Sequence, residues 1–211
     1  MSSRSAAYRR WVKLNGLDLN FPPHRRIFCD GFSPVGVERW EQMMETPNEV
    51  IIRYLQDCEA AERNFEDALA TFAVTGEQNE VKRMFEMATK RAKSQHERLE
   101  ARLKELGGER STLKSILAHI LAFTPTSAQL GHEPAEKNTQ HLMVCIAAAS
   151  AEMAMYESLA TAARAAGDTK TERLARELQA EEKDDYEKSW NLLRPSALAS
   201  FQTVVQRNAT A

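Results

Sequence analysis

The stretch Cys145-Ile-Ala-Ala-Ala-Ser-Ala-Glu-Met-Ala-Met-Tyr156 decides the fold, because it sets one carboxylate among small and apolar residues. Spacings of three and four place Glu152 in the middle of one helical face, which comprises Cys145, Ala148, Ala149, Glu152, Met155, Tyr156 and Leu159. An unpaired carboxylate at such a core position costs several kcal/mol. Glu152 must therefore be neutral, paired with a base or bound to a cation, and it is the first candidate functional residue.

Three further long helices are predicted around this one. Thr46-Pro-Asn-Glu49 is a capping box that starts the first helix, Gly107-Gly108 ends the second, and Gly167-Asp168 separates the third from the fourth. The fourth helix is expected to stop at Arg194-Pro195 and to leave residues 196–211 as a loose or short helical tail. The predicted helices are about 47–74, 80–106, 136–166 and 168–195.

The lengths of the connections predict the topology. The first and second helices, and the third and fourth, are joined by short turns, so each pair should form an antiparallel hairpin. The link between the hairpins is long and carries a short helix that starts at Ser111. This order favours an all-α, ferritin-like four-helix bundle over residues 47–195, with a long crossover. A helical bundle of another topology is the alternative.

Residues 1–46 are predicted to form an extended N-terminal arm. They contain Phe21-Pro22-Pro23 and scattered aromatic residues, without a sustained hydrophobic period. Up to Arg26 the arm is basic, with Asp18 as its single acidic residue. The arm either packs on its own domain or docks on a partner chain or an acidic surface. We expect a homo-oligomer and a protein partner for the arm, and not nucleic acid, because no binding motif is present.

Composition narrows the class of protein. The chain has 211 residues, a hydrophobic fraction of 43% and a net charge of −2, which give no general reason for nucleic-acid binding. Cys29, Cys58 and Cys145 are far apart and odd in number, which is typical of reduced thiols in a cytoplasmic protein. We predict no membrane span, since no run approaches the roughly 18 uninterrupted apolar residues that one needs.

Carboxylates inside the predicted bundle point to a metal site. Glu62 lies near the core face of the first helix, and the apolar stripe of the fourth helix turns acidic at Glu182 and Asp185. Converging carboxylates are the ligands that ferritin-like centres use for iron or manganese. The second helix offers only Gln95 and His96. The candidate ligands are therefore Glu62, Gln95, His96, Glu152, Glu182 and Asp185.

Each candidate ligand except Glu152 also has an ordinary structural interpretation. Glu62 could be a boundary residue paired with a base. Glu181 and Glu182 could be solvated, with at most one of them pointing inward. His96 could be a partly buried polar residue without a ligand role.

Residues 50–193 resemble the YciE/YciF-type ferritin-like stress proteins. The resemblance lies in short pieces in the right order: Ala61-Glu62, Phe85 through Glu97-Arg98-Leu99 to Leu106-Gly107, Ala147-Ala148-Ala149 with Glu152 and Tyr156, and Glu181-Glu182-Lys183. It implies a ferritin-like bundle that can dimerise, can hold a dinuclear metal centre and is linked to stress responses.

The chain departs from that pattern at likely ligand positions. Lys90 and Arg91 stand where the second helix of the family usually carries acidic residues, and Ala149 stands where a further Glu is common. The expected function is therefore assembly or partner binding by a stress-related bundle with a partial or vestigial metal site. The alternative is a di-iron or di-manganese oxidase or a peroxide-scavenging protein.

Overall fold

In the computed structural model, the described residues 46–75, 78–110 and 133–210 are helical apart from turns and caps. Their four long helices confirm the predicted all-α class within that part of the chain. A 3-10 turn at Pro134–Glu136 precedes the third helix. The helices are α1 Pro47–Thr75, α2 Asn79–Glu105, α3 Lys137–Ala166 and α4 Thr169–Thr210.

The turns end the helices where the sequence predicts. Gly107 has a φ of +76°, a conformation that costs glycine little. The N–H of Gly108 donates to the Leu103 carbonyl at 2.9 Å, and that of Gly107 donates to the Lys104 carbonyl at 3.1 Å, which together form a Schellman motif. At the other turn, Asp168 Oδ1 accepts from the Thr171 N–H at 3.0 Å and caps α4. Local backbone chemistry therefore fixes the end of α2, where the crossover begins, and the turn of the α3–α4 hairpin.

The interior is filled by two apolar clusters. α1 packs along α2, α3 packs along α4, and the hairpins meet through the α1–α3 and α2–α4 seams. One cluster lies toward the C-terminal end of α1 and is built on Phe65, Leu69, Phe72, Val81, Met84, Phe85, Leu142 and Val144. The other lies toward the N-terminal end of α1 and is built on Ile51, Leu55, Leu99, Leu103, Leu159 and Leu178.

The predicted end of the fourth helix is wrong. α4 continues through Pro195 to Thr210 as one helix, instead of ending there and leaving a loose or separate short helical tail. Contacts with the start of α3 explain this, because Thr139 Oγ1 lies 3.0 Å from the hydroxyls of both Ser196 and Ser200. Ser200 also donates to the Ala135 carbonyl at 2.8 Å. These partly buried hydrogen bonds hold the helix together past a proline, a residue that usually breaks a helix.

Other predictions fall outside the described residues. The N-terminal arm and the short crossover helix that starts at Ser111 belong to segments of which nothing is described.

Residues 134–166, which include α3, are long and apolar enough to cross a membrane by length and composition. α3 is also the helix that brings Leu142, Ala148 and Leu159 into the bundle interior, and this packing accounts for its apolar composition.

Candidate metal centre

Three glutamates from three helices meet between the two apolar clusters. Glu62 on α1, Glu152 on α3 and Glu182 on α4 are each at most 1% exposed. One carboxylate oxygen from each lies within 4.8 Å of those of the other two. The register of the helices produces this convergence, since each glutamate lies between apolar residues that pack into different clusters. The interpretation of Glu62 as a boundary residue is therefore wrong.

Two neutral side chains orient the carboxylates. Gln95 Nε2 donates to Glu182 Oε1 at 2.7 Å, and the Tyr156 hydroxyl donates to Glu62 Oε1. Within the part of the chain that the structure describes, Glu62 Oε2, Glu182 Oε2 and both oxygens of Glu152 accept no hydrogen bond from a donor group. Buried polar atoms are rarely left in this state. The cluster therefore has four buried oxygens available to a proton or a cation.

Burial and mutual repulsion favour the protonated carboxyls. Burial raises the pKa of Glu62 well above its usual value, and the charge of Glu182 adds to the rise. Burial also raises the pKa of Glu152, with further contributions from the charges of Glu62 and Glu182. The pKa of Glu182 is raised by burial to about 7, against the opposing effect of its hydrogen bond from Gln95.

Protonation of these carboxyls removes the cost of burying an ionised carboxylate at position 152. Two ionised carboxylates only accept hydrogen bonds, so contact between Glu152 and Glu182 becomes a hydrogen bond when one of them carries a proton. Like charges this close cannot all remain ionised without a counter-ion. The cluster can thus hold protons or a divalent cation, and the two should compete.

Asp185 lies one turn after Glu182 and faces a different partner. Its Oδ1 lies 2.8 Å from Arg91 Nη1, and its side chain is 15% exposed. Burial raises the pKa of Asp185 to about 6, although the Arg91 charge acts in the opposite direction. Asp185 is therefore close to the cluster but is paired with a resident cation.

His96 is directed to the edge of the bundle. Its Nδ1 lies 2.9 Å from Glu66 Oε2, and its side chain is 13% exposed. It is not among the residues that offer a ligand atom to the three-glutamate cluster. Of the six candidate ligands, the structure thus brings together Glu62, Glu152 and Glu182 with Gln95 beside them, and it places Asp185 against Arg91 and His96 against Glu66.

Sequence reasoning missed the roles of Arg91 and Tyr156. In the sequence, Arg91 marks only a position where an acidic ligand is missing, and Tyr156 is only a member of the helical face of Glu152. The position of Tyr156, four residues after Glu152 on the same helical face, was the available signal that its hydroxyl would reach the carboxylates. The pairing of Arg91 with Asp185 had no such signal, since it depends on how α2 is aligned against α4.

Solved structures show the same fold. The Escherichia coli stress protein YciF has 22% sequence identity, a TM-score of 0.66 and coverage of 73% of this chain and 98% of its own. A protein from Xanthomonas campestris has 23% identity, a TM-score of 0.63 and coverage of 75% and 98%. YcfI from Rhodopseudomonas palustris has 19% identity, a TM-score of 0.63 and coverage of 69% and 93%. The ferritin-like bundle predicted from the sequence is therefore confirmed as the fold.

The family comparison covers the same region. A search of curated proteins finds no match. The family model described as a domain of unknown function, DUF892, matches residues 46–197, which run from the start of α1 to about two thirds of the way along α4. The suspected resemblance to YciF-type proteins is confirmed, and the chain belongs to the DUF892 family.

Proposed function

We propose that this protein is a metal-binding helical bundle in which Glu62, Glu152 and Glu182 hold one divalent cation. The observation that carries the proposal is the set of four buried carboxylate oxygens without a donor among the described residues, on three side chains whose ligand atoms lie within 4.8 Å of one another. Carboxylates in an apolar interior are destabilising unless they are neutralised. A divalent cation cancels two of the three negative charges while satisfying all three side chains.

The donor set fits one ion of the iron and manganese class. Carboxylate oxygens suit Mn²⁺ and Fe²⁺, and His96, which would have added a nitrogen donor, is paired with Glu66. Gln95 and Tyr156 would act as positioning residues, because their hydrogen bonds fix one oxygen each of Glu182 and Glu62. A bound redox-active ion would supply the electron-transfer chemistry, while the protein supplies negative charge and excludes water.

Binding should displace protons from this site. Burial raises the pKa values of Glu62 and Glu152 well above their usual range, which favours protons on the metal-free cluster, and carboxylates must lose them to coordinate. The buried thiol of Cys58 is next to the cluster, and burial together with the charge of Glu62 raises its pKa. It therefore remains a thiol and is not proposed as a ligand.

Metal content measures this proposal directly. Full-length protein is stripped with chelator, dialysed against Mn²⁺ or anaerobic Fe²⁺, and analysed by inductively coupled plasma mass spectrometry. We expect about one ion per chain on the wild type and almost none on Glu152→Gln. Glu181→Gln is the matched control, since Glu181 is the neighbour of Glu182 but pairs with Arg98 outside the cluster. Equal metal content in the wild type and Glu152→Gln would refute the proposal.

Assembly is a second candidate function, which an apolar stripe on α4 favours. Trp190, Leu198, Phe201 and Val205 are each about half exposed or more, and helical spacing places them on one face. A second copy of the chain is the proposed occupant. An antiparallel two-fold axis near Leu198 would set Trp190 of one copy against Val205 of the other, a large residue against a small one.

The oligomeric state tests this second candidate. Phe201→Glu should lower the mass measured by light scattering after size exclusion, whereas Thr203→Glu, at an exposed position on the opposite side of α4, should not. A wild-type monomer at high concentration would contradict the assembly proposal.

A link to stress responses is supported only by similarity to YciF, whose description as a stress protein is its own. A cytoplasmic location remains a prediction; Cys58 and Cys145 are free thiols.

A further inference from the structure

One arginine beside the three-glutamate cluster has surroundings that would also suit a metal ion. Arg91 Nη1 lies 2.7 Å from Asp184 Oδ2 and 2.8 Å from Asp185 Oδ1. The same nitrogen donates to the Glu181 carbonyl at 3.0 Å. Carboxylate and carbonyl oxygens around one positive centre are also the surroundings that a hard divalent cation takes.

This position is next to the proposed ion and distinct from it. Asp185 lies one turn after Glu182 on α4, so its carboxylate faces the same interior from slightly further out. The charge of Asp185 raises the pKa of both Glu62 and Glu182, which shows that the groups interact electrostatically. The Arg91 guanidinium therefore contributes to the charge balance of the whole cluster.

We propose that Arg91 takes the place of a second metal ion and thereby limits the site to a single divalent cation. The inference rests on the proposed function and adds a specificity-determining residue to it. In the absence of the guanidinium, Asp185, Asp184 and the Glu181 carbonyl become an outer cation site beside Glu182.

Charge balance gives the physical reason. Glu62, Glu152 and Glu182 with one divalent cation carry a net charge of −1, and Arg91 cancels Asp185. Asp184 is balanced separately by Lys188, whose Nζ lies 2.6 Å from its Oδ2. A second divalent cation beside Arg91 would leave an excess positive charge in the interior, which is costly. Without Arg91, four carboxylates match two divalent cations.

Solvent can reach the position of Arg91. A groove of about 550 Å³ runs between α2 and α4, and Arg91, Ser94 and Glu181 are among the residues that line it. The Arg91 side chain is 28% exposed. A cation could therefore replace the guanidinium without the bundle opening. The limit on a second ion is thus set by charge and not by access.

The test compares Mn²⁺ stoichiometry in full-length variants. After equilibrium dialysis with excess Mn²⁺, wild type should saturate at about one ion per chain and Arg91→Gln at about two. The double variant Arg91→Gln/Asp185→Asn should return to about one, since it lacks a carboxylate of the outer site. Arg98→Gln is the matched control, because Arg98 is on the same groove but pairs with Glu177 and Glu181. It should stay at the wild-type value.

The outcomes separate the two proposals. One ion on both wild type and Arg91→Gln, with unchanged circular dichroism, would overturn the role of Arg91 and leave the three-glutamate site intact. Two ions on the wild type would overturn it as well, and this measurement needs no variant to fold. Absence of Mn²⁺ from every protein would overturn both proposals. A gain of one ion in Arg98→Gln would show that any lost positive charge suffices, which also overturns the specific role of Arg91.

Discussion

The two apolar clusters of the bundle and the carboxylate layer between them are equally buried but affect stability in opposite directions. The clusters stabilise the fold, and the buried carboxylates oppose it. Leu55, Leu99 and Phe85 are fully enclosed by hydrocarbon, and their burial drives folding. Glu62, Glu152 and Glu182 are enclosed to the same degree, yet several of their oxygens accept no hydrogen bond from a described donor. Residues that oppose the stability of their own core are most simply explained by chemistry that needs them.

The largest expected effect is the loss of an apolar side chain from an end of the bundle. Leu99 is 0% exposed in the cluster toward the N-terminal end of α1. Leu99→Ala should lower the free energy of unfolding by about 2–5 kcal/mol, through lost burial and the cavity left behind. Urea denaturation followed by circular dichroism measures this change. Leu198→Ala, at a half-exposed position, should change the free energy by less than about 0.5 kcal/mol in the monomer.

In the carboxylate layer, substitution by an apolar residue should raise the stability of the metal-free protein instead of lowering it. Glu152→Leu should raise the free energy of unfolding of the metal-free protein by about 1–4 kcal/mol, because an apolar side chain replaces a desolvated carboxyl. Thermal melts in chelator provide the measurement. The same variant should show no further stabilisation by Mn²⁺, whereas wild type should be stabilised. A destabilised metal-free Glu152→Leu would mean that the carboxyl makes favourable contacts that outweigh its desolvation.

The pH dependence should distinguish the layer from the ends. Burial raises the pKa of Glu182 to about 7 in the folded protein, so the native state retains a proton that the unfolded chain has lost. Stability from this group is present below about pH 4.5 and declines as the pH rises through 7, by on the order of 3 kcal/mol. Denaturation of metal-free protein at several pH values should show a flatter dependence in Glu182→Gln. An identical slope in wild type and variant would contradict the assignment.

His141 packs against the apolar cluster toward the C-terminal end of α1. It should make the free energy of unfolding depend on pH in the opposite direction and by a smaller amount. Its ring stacks on Phe72 with centroids 4.0 Å apart, and burial lowers its pKa to about 4. The native state therefore keeps the ring neutral, and stability declines as the pH falls from about 6.5 toward 4, by on the order of 1–2 kcal/mol. His141→Phe should remove this decline when stability is compared at pH 7 and pH 5. A decline that persists in the variant would assign it to another group.

The sequence predicted the parts of this comparison that depend on helical periodicity. The face around Glu152, the core positions of Glu62 and Glu182 and the turns at Gly107 and Gly167 follow from local spacing and capping, and the structure confirms their placement. These features need only one helix at a time.

The features that the sequence could not predict depend on how two helices pack against each other. His96 and Gln95 are adjacent, and only the rotation of α2 in the bundle decides that Gln95 meets Glu182 while His96 meets Glu66. The continuation of α4 past Pro195 depends on hydroxyls at the start of α3. Local propensity favours a break there, and tertiary hydrogen bonds override it.

The division of the cluster between two hairpins has a consequence for folding kinetics. Glu62 and Gln95 belong to the α1–α2 hairpin, and Glu152 and Glu182 to the α3–α4 hairpin. Each hairpin can form early from contacts close in sequence, but the carboxylates meet only when the hairpins dock. Docking should therefore be the step that desolvates these charges, and it should become faster when protons or a cation neutralise them. The buried glutamates would then control the rate at which the two halves of the bundle join.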